Sequence, residues 1–102
     1  MDVYSHMKNN EMIVECKKVK FYASYDEDAF FEWLGKIKSI MNVKGKRDSI
    51  MLTITTLSDD DLYNLVGLFR RYKIKMENLE HVVHESQKEM FYKYHINMYL
   101  AH

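Results

Sequence analysis

Over residues 49–55, SIMLTIT, apolar and polar positions alternate without a break. Ile50, Leu52 and Ile54 point one way and Met51, Thr53 and Thr55 the other, as in a strand with one buried face. The preceding KSIMNV (38–43) has strand composition, and KGKRD between the two predicts a turn centred on Gly45. Nearer the N-terminus, MIVEC (12–16) and VKFYAS (19–24) read as extended. The second is the stronger, because β-branched and aromatic residues crowd it.

The period changes after Tyr25. Phe30, Trp33, Leu34 and Ile37 recur at i, i+3, i+4 and i+7, which places them on one face of a helix. Ser24 and Glu27 stand at capping-box spacing. Asp26, Glu27 and Asp28 fall in the first turn, where the helix dipole favours negative charge. Gly35 weakens or ends this helix. The same grammar repeats at Ser58 and Asp61, with Asp59 and Asp60 in the first turn and Leu62, Leu65, Val66 and Phe69 as the stripe. Arg70, Arg71 and Lys73 gather at its C-terminal end, where cations are favoured. Met76, Leu79, Val82 and Val83 predict a third helix. The last segment, EMFYKYHINMYLAH, alternates like a strand at Met90, Tyr92, Tyr94, Ile96, Met98 and Leu100. Phe91, Tyr94 and Met98 fit a helix as well, and the Met, Lys, Glu and Leu content tips it to helix.

These elements predict an α+β fold: a small β-α-β-β sheet with helices packed on one face and C-terminal helices completing the core. A right-handed crossover makes the first and second strands parallel. The third pairs antiparallel with its neighbours, and a place between them is open to it. The expected core is Phe30, Trp33, Leu34, Ile37, Ile50, Leu52, Ile54, Leu62, Leu65, Val66 and Phe69. Residues 1–102 form a single domain, with the polar residues 1–10 expected to be flexible.

Composition changes this picture little. A chain of 102 residues with 47% hydrophobic content can bury a core without staples. It has no apolar run long enough to span a bilayer and no secretory-signal pattern at its start. One cysteine, Cys16, allows no internal disulfide and suits the cytosol. The fifteen basic and fifteen acidic residues cancel, but unevenly: −3 over 1–35, +4 over 36–56 and −1 thereafter. A neutral, patchy protein suits a polar partner surface better than general nucleic-acid binding.

Candidate chemistry is sparse. Cys16, beside two lysines, is a nucleophile candidate whose structural reading is the simpler one. Asp26–Asp28 and Asp59–Asp61 could supply acid and base, yet helix capping accounts for both. His81 and His84 are three apart, near Glu77, Glu80 and Glu85, but without HExxH or a third ligand at recognisable spacing. Gly35, Gly45 and Gly67 are too scattered to cradle phosphate. The strongest rival signal is basic: Lys44, Lys46, Arg47, Arg70, Arg71 and Lys73 could serve a small RNA- or DNA-binding regulator. Their plainer roles are a solvated hairpin tip and a helix C-terminus.

Two stretches, YDEDAFFEWLGKI (25–37) and LTITTLSDDDLYNLVGLFRRYKIKMENL (52–79), resemble short immunity proteins of bacterial contact-dependent growth inhibition systems. The similarity lies in Asp26 to Leu34, Asp60 to Leu65, Leu68 to Tyr72 and Ile74-Lys75-Met76, and runs over about half the chain. It implies a cytoplasmic, non-enzymatic protein without a cofactor. Such a protein binds and neutralises the C-terminal toxin domain of a cognate inhibitor, commonly a nuclease acting on tRNA, with no membrane or direct nucleic-acid partner expected. No residue-level binding motif transfers. A basic toxin surface could be met by Asp28, Glu32, Asp59, Asp60 and Asp61.

Overall fold

The computed structural model describes residues 11–93. The expectations for flexible residues 1–10 and for a helix beyond residue 93 lie outside the described residues. Within them the fold is mixed α+β. Strand β1 (Met12–Lys17) leads through helix α1 (Ser24–Lys36) to β2 (Ile40–Lys46), β3 (Ser49–Ile54) and helix α2 (Asp59–Arg71). Two 3-10 segments, Met76–Val82 and Glu85–Gln87, follow, and 88–93 is helical.

The sheet order is β1-β3-β2, and β3 is antiparallel to both neighbours. The first and second strands are therefore parallel in direction with the third between them, the arrangement open to the β-α-β-β pattern. The alternation read in β3 is real: Ile50, Leu52 and Ile54 are buried while Met51 and Thr53 are half-buried. Register places Val14 and Cys16 beside Leu52 and Ile50 on the inner face. Glu15, Lys17, Lys44 and Lys46 accompany Met51 and Ser49 on the outer one. The helices bury the inner face. Every expected core residue is buried except Trp33, which is half-buried and packs against the core. Gly67 lets the Trp33 ring lie on α2, since a Cβ there would sit 3.4 Å from Trp33 Cζ2. Leu57, Leu68, Ile74, Met76, Leu79, Val82, Val83 and Phe91 complete the same core.

Four local expectations are corrected. Residues 19–24 are not a strand. Lys18 turns the chain out of β1 with φ 55°, and its N–H donates to Asp48 O at 2.9 Å. Phe21 then enters an aromatic cluster, 5.3 Å from the Phe30 ring and 6.0 Å from the Tyr72 ring. Strand propensity yields here to tertiary packing. The Ser24–Glu27 capping box is absent, because α1 begins at Ser24 itself and its N-cap is Ala23, whose methyl cannot accept a hydrogen bond. Gly45 lies inside β2, and the turn is Arg47-Asp48, with Arg47 taking the left-handed backbone at φ 54°. The third helix is a 3-10 segment that ends at an extended Val83, so 76–82 and 85–87 are separate turns.

Candidate functional site

The five acids expected to meet a partner have different local duties. At the α2 N-terminus Ser58 caps as predicted, its hydroxyl accepting from Asp61 N at 3.1 Å. The Asp61 carboxylate does not return to the cap. It accepts from the backbone N–H and hydroxyl of buried Ser39, at 3.0 and 2.5 Å, and so ties α2 to the segment leaving α1. Asp59 accepts at 2.9 Å from Nε2 of Gln87, a buried side chain that also donates to Leu57 O. Asp60 alone of the three keeps an exposed carboxylate without a close partner. Its nearest donor, Asn64 Nδ2, is 3.5 Å away.

Asp28 and Glu32 are exposed on α1, one turn apart. Glu32 makes only a solvent-exposed 3.9 Å pair with Lys36. Glu32, Trp33, Lys36 and Asn64 line an open groove of about 450 Å³ between α1 and α2. The Trp33 indole N–H donates to Asn64 O at 3.1 Å and fixes the floor of this groove. The outward acids are thus Asp28, Glu32 and Asp60, while Asp59 and Asp61 serve the fold.

The basic residues are regrouped. Lys44 and Lys46 stand on the outer face of the sheet, and Arg47 is in the turn at its end. Arg71 and Lys73 line a second cleft, of about 490 Å³, with Lys18, Lys20, Tyr22, Asp26 and Tyr72. Arg70 is exposed on α2 and is not part of that lining. Lys18 and Lys20 were not among the expected basic residues. The alternating lysines in CKKVK carried the signal, but a strand reading of 19–24 hid where they lead.

No group of three metal-ligating side chains occurs among the described residues. His81 Nε2 lies 2.6 Å from Ile13 O, against β1, and His84 caps the following 3-10 turn, with Nδ1 accepting from Ser86 N. The two rings are bound into different turns. Cys16 is buried in the sheet, and burial first, then the neighbouring Glu15 carboxylate, push its thiol up to about 12. It is therefore protonated at neutral pH and a poor nucleophile. Native protein should resist a thiol reagent such as Ellman's at neutral pH and react once unfolded. Because the folded state holds this proton more tightly than the ordinary 9.0, the contribution is complete below pH 9 and lost as pH rises toward 12. The loss is up to about 1.4 kcal/mol per pH unit. Alkaline urea titrations should show a shallower decline for Cys16→Ala. Equal slopes would contradict the assignment.

No helix among the described residues is long and apolar enough to cross a membrane. No protein-family model, curated protein or solved structure matches the chain.

Proposed function

We propose that this protein is a non-enzymatic, cytoplasmic immunity protein. Its partner is the C-terminal toxin domain of a cognate contact-dependent growth inhibition protein, a nuclease acting on tRNA. The resemblance of 25–37 and 52–79 motivates the class. One structural observation supports it best: Asp28, Glu32 and Asp60 are exposed on α1 and α2, Glu32 lines a groove with Trp33, and the internal contacts of Glu32 and Asp60 are long, 3.9 Å to Lys36 and 3.5 Å to Asn64. A nuclease needs a basic surface to hold phosphate, and outward carboxylates beside a fixed aromatic ring complement such a surface.

The test pairs this chain with the C-terminal domain of a contact-dependent inhibitor, taken from an exported protein encoded immediately upstream where the gene neighbourhood holds one. Co-expression should restore growth of cells making that domain. The triple variant Asp28→Asn, Glu32→Gln, Asp60→Asn should lose at least about tenfold in affinity at low salt while melting within about 5 °C of wild type. Failure of the wild-type chain to protect would overturn the reading. Full affinity in the triple variant would move the contact away from the groove.

A further inference from the structure

The cleft at the other end of the helix pair is built from the two segments that leave β1 and α2. Lys18 and Lys20 come from the first, Arg71 and Lys73 from the second, and Asp26 is the single acid in the lining. None of the four cations has an ion pair among the described residues. Tyr72 forms a fixed wall: its hydroxyl donates to Asp26 O at 3.1 Å, and its ring packs 5.0 Å from Phe30. Arg71 stands 6.0 Å over the same ring. Tyr22, by contrast, is 86% exposed.

A second observation concerns the backbone. Among the described residues, the non-glycine residues with positive φ are Lys18, Arg47 and Lys73, at 55°, 54° and 58°. All three are cations. Lys18 and Lys73 line the cleft, and Arg47 lies in the turn whose Asp48 O accepts from Lys18 N. Lys73 occupies the position after the α2 cap where glycine is usual: Ile74 N donates to Phe69 O and Lys73 N to Arg70 O, closing the helix. Folding alone favours glycine or asparagine at such positions. Cations held there against local preference point to a use for their charge.

We infer that this cleft binds single-stranded nucleic acid, with phosphates at Lys18, Lys20, Arg71 and Lys73 and a base on the exposed Tyr22 ring. A chain fits better than a free nucleotide, because the basic surface continues past Lys18 to Arg47 and the sheet end bearing Lys46. A single strand fits better than a duplex, because stacking on a tyrosine needs an unpaired base face. This site lies about 17 Å along α2 from Asp60, the rise between Asp60 and Arg71. It is independent of the toxin-binding proposal.

Fluorescence anisotropy with a labelled twelve-nucleotide single-stranded RNA of mixed sequence tests it, using the full chain. Four neutralised phosphates give a log–log salt slope of about −2.8, so affinity should fall about 50-fold between about 50 and 200 mM KCl. Lys18→Asn with Lys73→Asn removes two charges while suiting the left-handed backbone. That variant should reduce the salt effect to about sevenfold and melt no lower than wild type. Tyr22→Ser should weaken binding about fivefold or more. No binding at about 100 μM protein and 50 mM KCl would overturn the inference, since that is the weak end of ordinary non-specific affinity. So would binding unchanged in both variants. A duplex of the same sequence, or inorganic polyphosphate, competing as well as the single strand would overturn the role of the base. A DNA strand competing equally would support the site as indifferent to the sugar.

Discussion

Asp61→Ala is expected to lower stability by about 2–3 kcal/mol, whereas Asp60→Ala, which loses only a long 3.5 Å contact with Asn64 and a favourable helix-dipole position, should cost about 0.5–1 kcal/mol. The two residues are adjacent and identical, and only their partners differ. Removing the Asp61 carboxylate leaves the buried Ser39 N–H without an acceptor and deprives the Ser39 hydroxyl of its shorter bond. A donor stranded in this way costs its full desolvation, and the lost bonds are charge-assisted. For a domain of this size the Asp61→Ala loss corresponds to a melting temperature lower by roughly 10 °C or more. Asp61→Asn should fall between wild type and alanine, since its amide oxygen can still accept from Ser39. Equal melting temperatures for Asp60→Ala and Asp61→Ala would show that the Ser39 link carries no weight. The result also bears on binding experiments. A loss of affinity for the proposed toxin partner in an Asp61 variant would report unfolding as readily as a lost contact, so Asp28, Glu32 and Asp60 are the positions that test that proposal.

Phe30→Ala should be more damaging still, by about 3–5 kcal/mol, the usual cost of emptying a buried phenylalanine site. Phe30 is fully buried, and its ring meets Phe21, Phe31 and Tyr72 edge to face. Phe31, its neighbour in sequence, is 40% exposed and should cost about 1 kcal/mol when truncated. Urea unfolding separates them: the midpoint should drop steeply for Phe30→Ala and slightly for Phe31→Ala, with little change in slope. Since small domains have only about 5–15 kcal/mol to lose, Phe30→Ala leaves the fold marginal. Phe30→Leu, which fills most of the space, should cost less than about 1.5 kcal/mol. A Phe31 variant worse than the Phe30 one would reverse the helix phase assigned to α1. The effect should reach the cleft too, because Tyr72 rests on Phe30 and pins the start of α1 through Asp26 O.

Helix faces and the β3 alternation were legible because both are periodic, and periodicity reports burial directly. Phe30, Leu34, Leu62, Leu65 and Phe69 needed no knowledge of their partners. The misreadings came where a residue's role depends on something distant in sequence. Ser24 has the spacing of a cap, but Phe21 and Tyr72 draw the incoming chain so that Ala23 takes that place. Gly45 is the natural turn residue, yet the β2–β3 register carries it into the ladder opposite Ile50 and leaves Arg47 with the unusual backbone. The candidate sites followed the same division. Asp59, Asp60 and Asp61 are indistinguishable as text, and their separation depends on Ser39 and Gln87, 22 and 28 residues away. The basic cleft was invisible for a similar reason. Lys20 and Arg71 come together only once α1 has folded back along α2.

The hydrogen bond between His81 and Ile13 O, with the 76–82 turn behind it, occupies the outer side of β1. Among the described residues, the β2 edge has no such cover, and it carries exposed Met41 and Val43 beside Lys44 and Lys46. A neighbouring strand could extend the sheet at β2, and any strand that adds there uses up that edge. Two copies meeting through β2 would form a closed two-fold pair, and a third could not join by the same contact. Strand addition at β2 would therefore give a partner strand or a two-fold dimer, and that edge contact by itself does not propagate.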